Sequence, residues 1–177
     1  MFSVERYTSA LWFAAERHDA QRFPGKEMPY LVHVVTVAAE VIAALPTSGL
    51  DGDLAVPCAL LHDTVEDTKT TPDEIAARFG GAVADGVRAL SKNPTLAKAD
   101  QMADCLRRIR EQPREVWAVK LADRISNLDE PPAYWPRDKR IAYRAEAQTI
   151  LDALGAASAT LAARLAARIE SYAAYCG

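Results

Sequence analysis

The stretch that decides the fold and most of the chemistry is Leu60-Leu61-His62-Asp63-Thr64-Val65-Glu66-Asp67-Thr68, which follows an apolar run over Ala55–Leu61. Its metal-binding or proton-carrying side chains are His62, Asp63, Glu66 and Asp67. If the run is a buried helix, His62 and Glu66 lie four apart on one face, and so do Asp63 and Asp67. Such a group at the end of an apolar helix is costly to desolvate unless a cation lies among the carboxylates. The alternative is a solvated, acidic helix end with no ligand.

The composition is that of a soluble globular protein and limits the class of partner. The chain has 177 residues, enough for one domain with a real core, with half of the residues apolar and a quarter charged. Its net charge is −3 and its pI about 5.6, so no global attraction draws it to nucleic acid or to an anionic membrane. An anionic substrate therefore needs a local basic pocket or a metal ion.

Cysteine usage and hydropathy predict a reduced, cytoplasmic protein. Three cysteines lie far apart and form no CxxC pair: Cys58, Cys105 and Cys176. Charged residues break up the N-terminus, which predicts no signal peptide. The most apolar windows, Val32–Leu45 and Ile150–Ala167, are each interrupted by charged residues, so we expect neither to span a membrane.

Apolar residues recur with helical spacing along nearly the whole chain, which predicts an all-α fold. The first predicted helices are Val4–Arg17 with Ser3 as its cap, Tyr30–Leu45 ended by Pro46, and one that carries His62 and Asp63 and ends near residues 68–71. A capping box at Thr71–Glu74 then opens a short helix that Gly80 ends.

The second half of the chain continues the helical pattern. The predicted helices are Gly81–Leu90, Ala97–Arg110, Pro113–Asn127 and a long Ala-rich stretch, Asp138–Ala174, that divides near Gly155. Only Glu115–Lys120 alternates in the manner of a short strand. We therefore predict a single-domain helical bundle over residues 1–177.

Two more residues are candidates for the same site. His33 lies on an otherwise apolar helix face, where a satisfied core histidine is the alternative, and Asp123 follows an apolar helical run, where capping or an ion pair with Arg124 is the alternative. Together with His62 and Asp63 they make an N2O2 set, which suits Mn²⁺, Fe²⁺ or Mg²⁺ better than a structural zinc. Coordination positions would remain for water and a substrate oxygen, as in a hydrolytic phosphoryl site.

These residues match a known pattern. His33, the His62-Asp63 doublet and Asp123 resemble the H…HD…D pattern of the HD-domain metal-dependent phosphohydrolases. Three longer segments, 29–33, 59–68 and 119–128, resemble the hydrolase domain of the RelA/SpoT family over roughly residues 11–148. The resemblance implies an HD-type bundle that uses Mn²⁺ to remove the 3′-pyrophosphate of the alarmone (p)ppGpp. We expect a stand-alone small alarmone hydrolase, too short for the synthetase and regulatory domains of long members.

The resemblance also implies roles for individual residues. The metal ligands would be His33, His62, Asp63 and Asp123. Glu66 and Asp67 would orient and activate the attacking water. Asn127 and Tyr143 would contact the nucleotide, and Trp135 occupies an aromatic position found in many members, where plain packing is the alternative.

One departure from the family pattern leaves the substrate open. Many members carry an Arg-Lys pair in the loop between the first two helices, where this chain has Phe23-Pro24. Arg22 and Lys26 flank that position and are the predicted substitutes for phosphate binding. The alternatives are an HD phosphohydrolase for another nucleotide, such as an adenine alarmone or a phosphorylated dinucleotide, and a non-catalytic helical module that binds an alarmone.

Overall fold

The structure, a computed structural model, describes residues 2–177, and helices joined by loops make up the fold over that range. Its α-helices are α1 Val4–Arg17, α2 Leu31–Ser48, α3 Gly52–Leu61, α4 Thr64–Asp67, α5 Pro72–Phe79, α6 Gly81–Leu90, α7 Lys98–Arg110, α8 Arg114–Asn127, α9 Arg137–Leu154 and α10 Ala159–Tyr172. Short 3₁₀ turns follow α9 and α10, at Gly155–Ala157 and Ala173–Tyr175. Within residues 2–177 the only β-type pairing is an isolated bridge between Arg22 and Pro29. The all-α prediction is confirmed.

Helix α3 forms the centre of the bundle and packs against α1, α2, α6 and α8. It is apolar on every side, as a fully enclosed helix must be, and its last seven residues, from Ala55 to Leu61, are all buried. The contact with α6 is close because Gly86 has no side chain. A Cβ there would lie 2.8 Å from the Cys58 Sγ and 2.9 Å from a methyl carbon of Val116.

Local capping signals correctly predicted several helix ends. The Ser3 hydroxyl accepts a hydrogen bond from the backbone N–H of Arg6 at the start of α1. Thr71 and Glu74 form a reciprocal capping box on α5. The Ala-rich stretch divides at Gly155, as predicted, and Ser158 caps α10.

Helix α2 extends one turn further than the predicted end at Pro46. Proline removes one backbone donor, but in the last turn this costs a single hydrogen bond. The hydroxyls of Thr47 and Ser48 both donate to the carbonyl of Ala44, and Gly49 ends the helix with a φ of 62°. The prediction that Pro46 ends the helix is therefore wrong.

The Glu115–Lys120 segment, which alternates like a strand, lies inside α8. That helix is packed against α2, α3, α9 and α10, so its residues are buried on several sides and the apolar pattern loses its helical period. The strand alternative is therefore wrong.

Among the described residues, α2 is the one helix long and apolar enough to cross a membrane by length and composition. In the fold it packs against α3, α8 and α10 and carries the buried His33. One third of the helix is buried, and the apolar face that packs against these neighbours raises its hydropathy.

The predicted continuous helix through His62 and Asp63 is broken after Leu61. Asp63 adopts φ −98° and ψ −4°, and the Thr64 hydroxyl donates to the carbonyl of Leu61 at 2.7 Å. The short helix α4 then begins at Thr64. Both members of the doublet therefore lie at the junction between α3 and α4.

Candidate metal centre

Side chains from three parts of the chain converge at this junction. The Nε2 atom of His33 lies 3.5 Å from Oδ2 of Asp63 and 3.5 Å from Oδ1 of Asp123. The Nε2 atom of His62 lies 2.9 Å and 3.7 Å from the same two oxygens. Both histidines and Asp123 are buried, and their ligand atoms lie within 4.8 Å of one another. The structure thus brings the four predicted ligands together.

The two imidazoles are oriented by their other ring nitrogen. Nδ1 of His62 lies 2.8 Å from the carbonyl of Ala59, which fixes Nδ1 as the protonated nitrogen of the neutral ring. Nδ1 of His33 lies 3.1 Å from the Ser126 hydroxyl. Both Nε2 atoms are buried, point at the carboxylates of Asp63 and Asp123, and have no other partner among residues 2–177. Ring nitrogens aimed at two carboxylates are an arrangement that suits a divalent cation.

The electrostatics of the centre favour positive charge. Burial lowers the pKa of His62, but the carboxylates of Asp63 and Asp123 outweigh burial and raise it well above its usual value. Burial would raise the pKa of Asp63, yet the neighbouring His62 holds it well below its usual range. Two buried carboxylates therefore need compensating cations, which protonated imidazoles or a divalent metal ion can supply.

Asp123 is held by its own helix, but not by Arg124 as the sequence suggested. Lys120 donates to Oδ2 at 2.9 Å and Asn127 to Oδ1 at 2.5 Å, one turn before and one turn after Asp123. Adjacent residues on a helix point in different directions, so Arg124 faces α9, where it pairs with Glu146 at 2.5 Å. The ion-pair alternative for Asp123 and Arg124 is wrong.

Three supporting residues escaped the sequence analysis: Tyr30, Lys120 and Ser126. The Tyr30 hydroxyl donates to Oδ2 of Asp63 at 2.5 Å, and burial together with that carboxylate raises the pKa of the tyrosine. The hydroxyl therefore remains a donor at neutral pH. Lys120 stands three residues before Asp123, a helical spacing that could have identified it, whereas Tyr30 reaches a ligand 33 residues away and has no such local signal.

The predicted catalytic carboxylates lie just beyond the centre on α4. Asp67 accepts a hydrogen bond from Gln21 at 2.8 Å, and Gln21 in turn lies 2.6 Å from Nδ1 of the buried His18. Desolvation by the surrounding protein raises the pKa of Asp67, and the proximity of Asp63 acts in the same direction. Glu66 is bound to Lys92 through two 2.8 Å contacts.

An aromatic cavity of about 240 Å³ lies beside the centre. Its aromatic walls are Phe23, Tyr30, Trp135, Tyr143 and Tyr172. Asn127 also lines it and, like Tyr30, touches the candidate metal ligands, so these two residues connect the cavity with the centre. The size and aromatic lining suit a flat heterocyclic ring. Both predicted nucleotide contacts, Asn127 and Tyr143, thus face this cavity.

The two predicted loop cations are placed differently. Lys26 pairs with Asp129 at 2.9 Å and lies 5.5 Å from the centre of the Phe23 ring, in a second cavity that His33 also lines. Arg22 is exposed, and its guanidinium approaches the carbonyls of Asp19 and Gln21 at 3.4–3.5 Å. The structure brings Lys26, but not Arg22, next to the centre.

Comparison with known proteins agrees with this geometry. A solved structure of a metazoan orthologue of SpoT that hydrolyses ppGpp superimposes with a TM-score of 0.85 at 26% identity, covering 97% of both chains. The 3′-pyrophosphohydrolase MESH1 of Drosophila melanogaster is 28% identical over 167 residues, 90% of each chain. That of Danio rerio is 38% identical over 118 residues, 66% of this chain and 63% of the relative.

A longer relative matches over a similar region. The guanosine-3′,5′-bis(diphosphate) 3′-pyrophosphohydrolase of Aquifex aeolicus is 36% identical over 129 residues, and this chain spans only 18% of its length. The family model for the HD domain matches residues 10–159, which include all four converging side chains. The chain belongs to the HD-domain family.

Proposed function

We propose that this chain is a cytoplasmic Mn²⁺-dependent hydrolase that removes the 3′-pyrophosphate of (p)ppGpp, leaving GDP or GTP. The observation that carries the proposal is the convergence of two unpaired imidazole nitrogens and two carboxylates beside an aromatic cavity. Relatives that cover 90% or more of the chain are known to act on ppGpp. We further propose that residues 1–177 act as one hydrolase domain.

In this proposal His33, His62, Asp63 and Asp123 hold the metal ion. The mixed nitrogen and oxygen donors suit Mn²⁺ better than a thiolate-selective metal. When bound, the ion lowers the pKa of a water molecule and polarises a phosphoryl oxygen. Tyr30 and Lys120 fix the two carboxylates by donating to them, which keeps the ligand geometry in place.

Glu66 and Asp67 orient and deprotonate the attacking water. Asp67 is fixed by Gln21, and its raised pKa makes it a better proton acceptor than an ordinary aspartate. The water oxygen attacks the ribose-proximal phosphorus, the bond from phosphorus to the ribose 3′ oxygen breaks, and that oxygen takes up a proton. Pyrophosphate and GDP or GTP are the products.

The base would occupy the aromatic cavity, stacked against its rings. Asn127 and Tyr143 would contact the nucleotide, and Lys26 would reach a phosphate from the second cavity. Arg22 would need to leave its present backbone contacts to take part. The cation–π contact between Arg124 and Tyr143, at 4.3 Å, fixes the Tyr143 ring from behind.

Phe23-Pro24 favours a second candidate, hydrolysis of a different nucleotide by the same metal chemistry. Many members of the RelA/SpoT family have two cations where this chain places an aromatic ring in the cavity wall. An apolar wall strengthens stacking but gives no charge to a phosphate. An adenine alarmone or a phosphorylated dinucleotide would then be an alternative substrate.

Incubation of the purified protein with Mn²⁺ and ppGpp, followed by anion-exchange separation, tests the proposal. We expect release of pyrophosphate, loss of activity in Asp123→Asn, and a rate at least roughly 100-fold lower in Glu66→Gln. Lys69→Met is the control because Lys69 is exposed and has no ion pair among the described residues. Hydrolysis of another nucleotide but not ppGpp would support the second candidate. Metal binding without hydrolysis of ppGpp, an adenine alarmone or a phosphorylated dinucleotide would reduce the chain to a binding module.

A further inference from the structure

Lys92, in the loop after α6, is bound to the candidate catalytic carboxylate. Its Nζ lies 2.8 Å from Oε1 of Glu66, and its backbone N–H donates to Oε2 at 2.8 Å. The Lys92 side chain is 40% exposed and that of Glu66 is 26% exposed. The lysine therefore contacts Glu66 and remains accessible to a ligand.

The pair lines a third cavity, beside the short helix α4 that follows the His62-Asp63 doublet. This cavity, of about 370 Å³, is lined by both residues together with Ser91 and Gln101, and it shares no lining residue with the aromatic cavity. Burial lowers the pKa of Lys92, but Glu66 outweighs burial and the pKa is raised from its usual value. The charges of Lys120 and Asp123 also affect this pKa. Lys92 is thus a charged ammonium group that lines a cavity separate from the aromatic one.

The donor capacity of this ammonium group is only partly used. A lysine has three N–H donors, and the described residues satisfy one of them, through Oε1 of Glu66. Phosphate oxygens are strong acceptors for the remaining donors. The backbone N–H of Lys92 would keep Glu66 in place even if the ammonium group moved, because it holds the other carboxylate oxygen.

We propose that Lys92 binds the distal phosphate of a 3′-diphosphate substrate and thereby releases Oε1 of Glu66. This inference rests on the proposed function. A substrate with the distal phosphate draws the ammonium group away, and Oε1 then takes a proton from the attacking water. The carboxylate remains anchored through Oε2, so the released base stays positioned. Lys92 is accordingly a substrate-binding residue that also positions Glu66.

Binding of pyrophosphate and of orthophosphate, measured by titration calorimetry at fixed free Mn²⁺, tests the site without requiring turnover. We expect Lys92→Met to weaken pyrophosphate binding by about tenfold or more, as loss of a charge-assisted hydrogen bond implies, with orthophosphate binding unchanged. Lys92→Arg keeps a cationic donor and should retain most of the affinity. Lys69→Met, the exposed control, should match the wild type for both ions.

Steady-state kinetics with ppGpp provide the second readout. We expect kcat/KM to fall at least about tenfold in Lys92→Met and to be largely restored in Lys92→Arg. If Lys92→Met fails to give a wild-type circular dichroism spectrum, Lys92→Gln replaces it. Equal pyrophosphate affinity in the wild type and the methionine or glutamine variant would overturn the inference. If pyrophosphate binding depends on Lys92 but the wild type hydrolyses no 3′-diphosphate, only the proposed function is refuted.

Discussion

Replacing Lys120 by methionine should destabilise the metal-free protein strongly. The ammonium group of Lys120 is buried, donates to Oδ2 of Asp123 at 2.9 Å, and helps to compensate the charge of that buried carboxylate. Removing one partner of a buried ion pair costs about 3–5 kcal/mol, and the hydrogen bond from Asn127 places the expected loss near the lower value. For a chain of this length, about 3 kcal/mol corresponds to a fall in Tm of roughly 6–12 °C.

The metal-loaded variant should lose much less stability, because a divalent ion compensates the same carboxylate. The methionine also removes the repulsion that the buried ammonium group would exert on a divalent ion held by the same carboxylate. Linkage between the two effects requires the variant to bind the metal more tightly, by about tenfold or more. The increase in Tm on adding Mn²⁺ should therefore be larger in Lys120→Met than in the wild type.

Scanning calorimetry measures the Tm without metal and its increase on adding Mn²⁺. It is applied to the wild type, to Lys120→Met and to the exposed control Lys69→Met, each after chelation and again with Mn²⁺. Titration calorimetry gives the metal affinity directly. The reasoning fails if Lys120→Met lowers the Tm equally with and without metal, since Lys120 and the metal would then not share Asp123. It also fails if the metal-free variant is as stable as the wild type.

Three further outcomes follow from the structure. Gly86→Ala should lower the free energy of unfolding by about 1–3 kcal/mol in denaturant titrations, because its Cβ would lie 2.8 Å from Sγ of Cys58. Gly81→Ala is the control: its Cβ would meet no atom within 4 Å, and it should not destabilise the protein. A thiol reagent at pH 8 should modify only Cys176 in the native protein and all three cysteines in denaturant. Cys58 and Cys105 are buried, and burial raises the pKa of Cys58 to about 12. Phe23→Ala should weaken the binding of GDP by roughly tenfold and leave pyrophosphate binding unchanged, both measured by calorimetry. The Phe23 ring lines only the cavity proposed for the base and the cavity that holds Lys26. Equal losses for both ligands would contradict that placement.

Features that depend on neighbouring residues were predictable from the sequence. The Ser3 cap, the capping box of Thr71 and Glu74 and the division at Gly155 all rest on contacts within a few residues. Because these contacts are local, the residue types at neighbouring positions are enough to predict them. The convergence of His33 and Asp123 on the doublet is different, because their helices are far apart in the chain, and here the family resemblance supplied the ligand set.

Contacts between distant segments could not be predicted in the same way. The bond between Gln21 and Asp67 spans 46 residues and that between Lys92 and Glu66 spans 26. Nothing in the local sequence distinguishes Lys92 from the other exposed lysines. Its partner is decided by the packing of α4 against α6, which brings the loop after α6 over the carboxylate. Long-range packing, and not the local sequence, therefore places Lys92 beside Glu66.

The junction between α3 and α4 holds both members of the doublet. Adjacent residues on a helix point about 100° apart. Asp63, at φ −98° and ψ −4°, nevertheless places its Oδ2 2.9 Å from Nε2 of His62. The hydroxyl of Thr64 satisfies the carbonyl of Leu61 at the end of α3. The doublet and the threonine that follows it thus form one structural unit: Thr64 closes the helix, and the two ligand side chains extend from its end towards His33 and Asp123.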